Sequence, residues 1–380
     1  MEKRNIPFSQ PDIIESDLDS VLDVIKSGWL AHGIFSKKFE KLFCKLTGAK
    51  YATTVSNCTA GLHLSCIAAG FNKGDEVIVP AMTHTATAHA VEYTGAKPVF
   101  ADIDRISGNI NIDSVASLIS KRTKGIIPVH MAGVPCEMGQ LSKLCKQNDV
   151  TIIEDCAHAM GTTFKGKHAG NFGITGNFSF YPTKQITTGE GGIVISNDDK
   201  VIDKIIKYKA FGINTSPEDR KTPGVYNVKG LGYNYRMTDF QAALGVGQLE
   251  RYGHNVSRRR ENAIIYNELL SGVDEIEYVN YNEDNSYFLF QISLSNKIDR
   301  NKLIHQLKDS GIGVSIHYAK PVPLMDYYKN KYGYVASHFP NAYHYAESNL
   351  SLPVHQFIKN DDIKFICNKI KSLLIKGKKL

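Results

Sequence analysis

The sequence predicts an α/β protein in which a largely parallel sheet, covered by helices on both faces, is followed by a smaller α/β domain. Over the first 196 residues, short apolar runs alternate with helical patterns, and the runs are continuous rather than alternately polar and apolar. Continuous apolar strands separated by helices are typical of parallel sheets that are buried on both faces. After this region the pattern changes. We expect a large domain at residues 1–250 and a small domain at residues 251–380.

The elements of the large domain follow from their apolar patterns. A first helix, which ends at Gly28, is predicted by apolar residues at helical spacing: Ile14, Leu18, Val21, Leu22 and Ile25. Strands are predicted in seven apolar, β-branched runs, at residues 51–56, 76–80, 97–103, 125–131, 150–156, 178–181 and 191–196. Helices are predicted between most of the first five runs, at residues 59–69, 85–92, 113–119 and 138–147.

The second half of the chain has a different pattern. A helix at residues 199–207 precedes a glycine-rich, polar stretch, and another helix begins near Thr238. From about Arg251 a long charged helix leads into the small domain. There the sequence predicts strands at 287–294 and 313–318, a helix at 299–311 and two terminal helices.

The composition excludes several classes of protein. The chain of 380 residues is 42% hydrophobic and 22% charged, which is typical of globular and not of disordered proteins. No apolar run is long enough for a membrane span, and the polar start "MEKRNIPFSQPD" is unlike a signal peptide. The formal charge of +7 is spread along the chain except in the tail at 369–380, which we interpret as the solvated face of a terminal helix. We therefore expect neither a nucleic-acid nor a membrane partner.

The cysteines indicate the redox compartment. Seven cysteines are scattered along the chain, and no two form a C-x-x-C pair. This pattern favours free, mostly buried thiols in a reducing cytoplasm and gives no metal-site spacing.

The stretch "VSNCTAGLHLS" combines a strand end, a polar turn and the start of a helix. The free N–H groups and the positive dipole end of a helix N-terminus make an anion site. Ser56, Asn57 and Thr59 add hydroxyl and amide groups to it. The same residues are also ordinary helix caps, so the residues alone leave both interpretations open.

Lys184 lies in the polar, glycine-rich stretch "FYPTKQITTGEGG", and Asp155 ends an earlier strand that we predict to be buried. Burial lowers the pKa of a lysine and makes its neutral amine a nucleophile that forms a Schiff base with a carbonyl. Pyridoxal phosphate is commonly held in this way, and its ring nitrogen needs an acidic partner such as Asp155. The alternatives are a surface-loop lysine and a helix-capping aspartate. A P-loop is excluded because the lysine precedes the glycines.

The sequence resembles the DegT/StrS-type nucleotide-sugar aminotransferases, which are pyridoxal-phosphate enzymes of fold type I. Eight segments carry the resemblance in the order found in the family: "SGWLAHG", "SNCTAGLHL", "GDEVIVPAMTHTATAHAVEYTGAKPVFADID", "PVHMAG", "IIEDCAHAMG", "FSFYPTKQITTGEGG", "LGYNYRMTDFQAALG" and "IHYAKPVPL". They extend over nearly the whole chain. The resemblance implies a seven-stranded, mostly parallel sheet with helices on both faces and a smaller C-terminal α/β domain.

The resemblance also implies roles around the ring of pyridoxal phosphate. Lys184 holds the cofactor as a Schiff base, and Asp155 pairs with the ring nitrogen. His158 lies beside the phenolic oxygen of the ring. His84 stands where the family usually has an aromatic residue that stacks on the ring.

Further residues are implied at the cofactor phosphate and on the substrate side. Cys58, Thr59 and Ser179 bind the phosphate of the same subunit's cofactor. Asn234 reaches the phosphate of the neighbouring subunit's cofactor, which implies a homodimer with shared active sites. The substrate wall is formed by two segments: Ser27, Gly28, Trp29 and Leu30, and His317 and Tyr318.

The implied reaction transfers an amino group from glutamate to a nucleotide-linked ketosugar. Lys184 argues against the related 3-dehydratases, which have histidine at this position. The segment "KQITTGEGG" is similar to the C-4 aminotransferases, whereas the C-3 enzymes more often carry "G-K-N-L-G-A" with "G-D-G" or "G-D-A". We therefore expect a nucleotide-linked 4-keto-6-deoxyhexose as acceptor and a 4-amino-4,6-dideoxy sugar for a surface polysaccharide or glycan as product.

Three alternatives stay open. One, within the same class of enzyme, is a C-3 aminotransferase, and another is a regulator that binds pyridoxal phosphate without catalysis. A binding-only protein has no need of both the Lys184–Asp155 pair and a substrate wall. An NAD-dependent sugar oxidoreductase needs G-x-G-x-x-G after its first strand, and "SNCTAG" is not that motif. The residues do not indicate which nucleotide is bound.

Overall fold

The structure is a computed structural model, and it describes residues 4–31, 33–213, 222 and 224–377. The last three residues of the basic tail lie outside the described residues, and the preceding part of the tail continues the last helix. None of the described helices is long and apolar enough to cross a membrane. All seven cysteines are free thiols, and six of them are buried, as the sequence predicts.

The strands form one seven-stranded sheet, one three-stranded sheet and a short hairpin within the described residues. In chain order the strands are β1 Tyr51–Val55, β2 Glu76–Pro80, β3 Lys97–Ala101, β4 Thr123–Ile126, β5 Thr151–Asp155, β6 Thr163–Phe164, β7 Lys167–His168, β8 Thr175–Ser179, β9 Gly192–Ser196, β10 Ile276–Glu277, β11 Phe290–Leu294 and β12 Asn349–Leu352.

The helices account for most of the remaining chain. In chain order they are α1 Glu15–Ser27, α2 Ile34–Thr47, α3 Cys58–Ala69, α4 Thr85–Glu92, α5 Ile112–Leu118, α6 Met138–Gln147, α7 Asp199–Tyr208, α8 Asp239–Glu250, α9 Tyr252–Leu270, α10 Arg300–Asp309, α11 Asp326–Tyr332, α12 Pro340–Ser348 and α13 Asn360–Gly377. Short 3₁₀ turns lie at Met131–Gly133, Val322–Leu324 and Ala336–His338.

The large sheet has the strand order β1-β9-β8-β5-β4-β2-β3. Only β9 runs against its neighbours, because it pairs antiparallel with both β1 and β8, whereas the other neighbouring pairs are parallel. The sheet is therefore mostly parallel, as predicted. Since six strands share one direction, the carboxyl ends of β1, β2, β5 and β8 meet at the same edge, where ligands bind in open α/β sheets.

Helices cover both faces of the large sheet. Val77 and Val79 of β2 pack on one face with Leu62 of α3, whereas Ile78 packs on the other face with Leu141 of α6. Successive strand residues point to opposite faces, so a continuous apolar run buries both faces at once. The predicted arrangement of the large sheet is confirmed.

The C-terminal part of the chain builds a second core around β10, β11 and β12. Helices α9, α10 and α13 pack against this antiparallel sheet through apolar residues such as Tyr266, Leu307 and Ile366. Phe288, which precedes β11, packs instead in the core of the large sheet. The domain boundary at residues 250–251 stays a prediction; α8 ends and α9 begins there.

The strand predicted at residues 313–318 is wrong. Ser315 makes a single bridge with Ser351, and no ladder continues from it in the described part of the chain. The backbone N–H of His317 donates instead to the side-chain Oδ1 of Asn349 at 3.0 Å. The Asn349 side chain thus accepts the hydrogen bond that a neighbouring strand would otherwise accept.

The other differences concern boundaries and several elements that the sequence did not predict. β4 ends at Ile126 rather than at residue 131, and Pro128, which has no N–H for a ladder, follows it. β8 begins at Thr175, before the predicted run of 178–181. Helix α2 and the strands β6, β7, β10 and β12 were not predicted, and three helices, α11 to α13, stand where two terminal helices were expected.

Glu154, on β5, joins the sheet to the loop that precedes β8. Its Oε1 accepts hydrogen bonds from the backbone N–H groups of Phe172 (2.6 Å) and Gly173 (2.8 Å). Its Oε2 accepts from the N–H of Gly170 (2.8 Å) and contacts Nε2 of His130 at 3.1 Å. The side chain is fully buried. These partners satisfy a carboxylate that would otherwise be costly to bury.

Glu154→Ala should destabilise the protein by about 3–5 kcal/mol, because several buried N–H groups lose their acceptor together. Urea unfolding measures this change in the free energy of unfolding. The matched control is Glu283→Ala, since Glu283 is exposed, and it should cost less than about 0.5 kcal/mol. Equal stabilities of the two variants would contradict the role given to Glu154.

Candidate active site

A cavity of about 990 Å³ lies at the edge where the carboxyl ends of the parallel strands meet. We call it the site cavity. Ten of the residues that the sequence singled out line it: Asn57, Cys58, Thr59, His84, Asp155, His158, Ser179, Lys184, His317 and Tyr318. The first seven of these stand at or just after the ends of β1, β2, β5 and β8. The topology of the sheet therefore brings together residues that are far apart in the chain.

Lys184 lies in the loop between β8 and β9. Its Nζ is 4.5 Å from the centre of the Phe288 ring. Burial lowers the pKa of Lys184 to about 8, although the nearby Cys58 and Asp155 act in the opposite direction. The neutral, nucleophilic form of the amine is therefore far more populated near neutral pH than in an ordinary lysine, although the protonated form still predominates there.

Asp155, the last residue of β5, is buried in the wall of the site cavity. Its Oδ2 accepts a hydrogen bond from the hydroxyl of Thr87 (2.8 Å), and its Oδ1 accepts from the N–H of Ala157 (3.1 Å). Burial raises the pKa of Asp155, while these two hydrogen bonds lower it. Each oxygen retains a lone pair, so the carboxylate can still accept a proton donor from the cavity.

The N-terminus of α3 forms another wall. Asn57 caps the helix, and its Oδ1 accepts from the N–H of Ala60 at 2.8 Å. The N–H groups of Cys58 and Thr59 belong to the first turn and have no acceptor within the helix. Ser179, at the end of β8, adds a hydroxyl. Together these donors make an anion site.

Gly192 explains part of the glycine run after Lys184. A Cβ atom at this position would lie 2.7 Å from the backbone nitrogen of Cys58, closer than such atoms approach in proteins. Glycine at the start of β9 therefore lets this strand pass directly behind the first turn of α3.

Two histidines line the site cavity with defined partners. Nδ1 of His84 accepts from the N–H of Ala86 at 3.2 Å and so caps α4. The ring of His158 stacks on Phe288, with centres 4.5 Å apart. Burial and the charge of Lys184 hold the pKa of His158 well below its usual value, so this imidazole is neutral.

Other predicted residues lie outside the site cavity of their own chain. Ser27 and Trp29 line a separate surface cavity of about 600 Å³, and Trp29 is 60% exposed. Gly28 is the left-handed cap of α1, and Leu30 accepts a hydrogen bond from the N–H of Asp239. Asn234 is exposed, and its Oδ1 accepts from Nε of Arg236 at 2.9 Å. Their substrate and phosphate roles remain predictions.

Sequence analysis missed several residues of the site. Thr87 supports Asp155, and Phe288 packs against both Lys184 and His158. Tyr233 and Tyr235 line the cavity on either side of Asn234. The sequence contained a signal for Thr87, because this residue lies one helical turn after His84. It contained none for Phe288, because this residue reaches the cavity from the C-terminal part of the chain.

The residues of the site cavity fit pyridoxal phosphate. The anion site at α3 suits its phosphate, Asp155 suits a protonated ring nitrogen, and Lys184 provides an amine of lowered pKa for its carbonyl carbon. All three lie in one cavity, as the binding of one small molecule requires.

The rate at which the apoprotein captures pyridoxal phosphate covalently should rise with pH through a midpoint near 8, the pKa of Lys184. Below this pH the amine is protonated and is not a nucleophile. Stopped-flow absorbance measures the rate, and Lys184→Ala is the control without the amine. A midpoint near the ordinary lysine value of about 10.4 would contradict the lowered pKa.

Comparison with known proteins identifies the family of the chain. The model of the DegT/DnrJ/EryC1/StrS aminotransferase family matches residues 11–371. The chain is 35% identical over 367 residues to a GDP-perosamine synthase of Escherichia coli O157:H7, covering 96% of this chain and 97% of that protein. It is also 35% identical over 388 residues to the spore coat polysaccharide biosynthesis protein SpsC of Bacillus subtilis, covering 99% of each.

A solved structure gives the same result. The pyridoxal-phosphate form of the putative sugar aminotransferase Spr1654 from Streptococcus pneumoniae superposes with a TM-score of 0.91 and 30% sequence identity, covering 98% of this chain and all of that chain. The predicted resemblance, fold, cofactor and class of enzyme are thereby confirmed. The chain belongs to the DegT/DnrJ/EryC1/StrS aminotransferase family and is a pyridoxal-phosphate-dependent sugar aminotransferase.

Proposed function

We propose that the enzyme transfers an amino group from glutamate to C-4 of a nucleotide-linked 4-keto-6-deoxyhexose, which gives a 4-amino-4,6-dideoxy sugar for a surface polysaccharide. The main observation in favour of amine transfer is that Lys184 and Asp155 lie in one cavity. The segment "KQITTGEGG" and the relative named GDP-perosamine synthase support the choice of acceptor.

The residues have distinct roles in this proposal. When bound, pyridoxal phosphate supplies a conjugated ring that takes up the electron pair left by removal of a Cα proton. Lys184 Nζ, as a neutral amine, takes this proton from the amino donor. Asp155 holds the proton on the ring nitrogen, and the first turn of α3 holds the phosphate. In the second half of the reaction, Lys184 supplies a proton to the carbon of the sugar that receives the amine.

The amino donor is tested by visible spectroscopy of the protein with bound pyridoxal phosphate. Glutamate should bleach the visible band, because the amino group moves to the cofactor. Asp155→Asn should bind cofactor but lose at least about a hundredfold in the rate of bleaching, since an amide does not hold the ring-nitrogen proton. Thr59→Ser, which keeps the hydroxyl, is the control for cofactor binding. A band that glutamate leaves unchanged would exclude glutamate as the donor.

The acceptor is tested with nucleotide-linked ketosugars of defined keto position. After reaction with the glutamate-treated enzyme, NMR of the product locates the new amine. A 4-amino sugar supports the proposal, whereas a 3-amino sugar shows the C-3 alternative. If none of the ketosugars restores the visible band, the sugar proposed here is wrong.

We further propose a homodimer in which each active site contains residues of both chains. Four apolar residues of α1 and its N-cap are 43–52% exposed in the single chain: Ile14, Leu18, Leu22 and Ile25. An apolar helix face of this kind is typical of a surface that a partner covers. Asn234 and Trp29 are also exposed and lie outside the site cavity of their own chain, so they can reach the site cavity of a second copy of the chain.

Co-expression of Lys184→Ala with Asn234→Asp tests the shared site. The aspartate should repel the cofactor phosphate, so each variant alone should be inactive. In the mixed dimer, one site receives both wild-type residues, and activity should return. The matched control is Lys184→Ala with Asp155→Asn, which should stay inactive because both residues belong to the same chain's cavity. Equal outcomes of the two mixtures would contradict a site shared through Asn234.

A further inference from the structure

The His317–Tyr318 dipeptide is fixed by a side chain of β12. Oδ1 of Asn349 accepts from the N–H of His317 at 3.0 Å. Nδ2 of the same amide donates to the carbonyl oxygens of Tyr318 (3.2 Å) and Tyr345 (2.7 Å). Asn349 is fully buried. Both ends of the dipeptide are therefore held at the wall of the site cavity.

A second contact orients the ring of His317. Its Nδ1 lies 3.0 Å from Oγ of Ser351, which is also fully buried. One terminal amide atom of Gln291 lies 3.1 Å from the carbonyl oxygen of His317 and 3.4 Å from Oγ of Ser351. A carbonyl oxygen only accepts, so this atom is the amide nitrogen. The other amide atom, Oε1, accepts from the hydroxyl of Tyr345 at 2.7 Å.

These bonds determine which nitrogen of His317 carries the proton. Ser351 accepts from Gln291, and its own hydroxyl proton has one available acceptor among the described residues, Nδ1 of His317. Nδ1 therefore bears a lone pair. Burial and the charge of Lys184 lower the pKa of His317 to about 4, so the ring is neutral. The remaining proton is on Nε2, and His317 lines the site cavity.

The same logic applies to Tyr318. The backbone N–H of Ala132 donates to Nδ1 of His158 at 3.4 Å. Since His158 is neutral, its proton is on Nε2, which lies 3.3 Å from the hydroxyl oxygen of Tyr318. The hydroxyl accepts this bond, and its own proton has no acceptor among the described residues, so it can go to a ligand in the site cavity.

We propose that Ser351 and Gln291 are positioning residues that hold His317 as an Nε2–H donor, so that His317 and Tyr318 present two uncharged donors to substrate oxygens that carry no proton. Such oxygens are a keto oxygen of the sugar or a carboxylate oxygen of the amino donor. Donors that are fixed in advance bind these oxygens without reorganisation. The inference rests on the proposed function for the identity of these substrates, but not for the state of the ring.

The state of the ring is measured without turnover. Protein labelled with ¹⁵N-histidine gives ring-nitrogen signals by long-range ¹H–¹⁵N NMR, and His317→Gln identifies the signals of His317. In the wild type, Nε2 should carry the proton and Nδ1 should not. In Ser351→Ala, the two nitrogen shifts should move toward each other, and Ser351→Thr, which keeps the hydroxyl, should restore them. A protonated Nδ1 in the wild type overturns the proposal, whatever the substrates are.

The kinetics of the two half-reactions identify which substrate oxygen the two donors bind. Ser351→Ala should lose about tenfold in kcat/KM, the effect of one hydrogen bond. A loss confined to glutamate, mainly through KM, shows that a carboxylate is bound. A loss confined to a GDP-linked 4-keto-6-deoxyhexose, mainly through kcat, shows that the keto oxygen is bound. Ser315→Ala is the matched control, because Ser315 bonds to Ser351 through backbone atoms.

Two results separate failure of this inference from failure of the proposed function. If both half-reactions are unchanged in Ser351→Ala while the wild type turns over, the positioning role is wrong. If the wild type reacts with neither substrate, the proposed function is wrong, and the NMR signals of His317 still decide whether Ser351 and Gln291 fix its proton.

Discussion

The burial of charge at the carboxyl end of β5 is the constraint on which the rest of the structure depends. Glu154 and Asp155 are consecutive, so they point to opposite faces of the sheet. Backbone N–H groups of the loop before β8 satisfy Glu154. Thr87 and Ala157 satisfy only part of Asp155. The Glu154 carboxylate therefore stabilises the fold, whereas the Asp155 carboxylate can still accept a hydrogen bond from a ligand. One strand end provides these two buried carboxylates because each face of the sheet is covered.

The charges of the cofactor correspond to those of the site cavity. Its phosphate matches the positive end of α3, and its protonated ring nitrogen matches Asp155. Lys184 completes the match because burial favours its neutral form. If Lys184 kept an ordinary lysine pKa, the neutral form that acts as a nucleophile would be far scarcer near neutral pH. Burial, which is costly for stability, thus produces the reactivity of the amine.

The sequence was sufficient for the parts of the site that follow from strand ends. Apolar runs located β5 and the start of α3, and hence Asp155 and Thr59. It was not sufficient for β12, although the alternation in "NLSL" has the period of a strand. The polar residues of that alternation, Asn349 and Ser351, are buried rather than exposed. Their partners lie far away in the sequence, and a pattern of hydrophobicity contains no information about them.

These buried polar residues explain how the cavity wall at His317 and Tyr318 can be polar without being charged. An imidazolium at His317 or His158 would lie near Lys184 and would be repelled by it when the lysine is protonated. Neutral rings avoid this cost, but a neutral histidine can present either a donor or an acceptor. A fully bonded network behind each ring removes this ambiguity. Selecting the donor form therefore requires polar residues in the core, and this accounts for Asn349 and Ser351 on a strand whose other face is apolar.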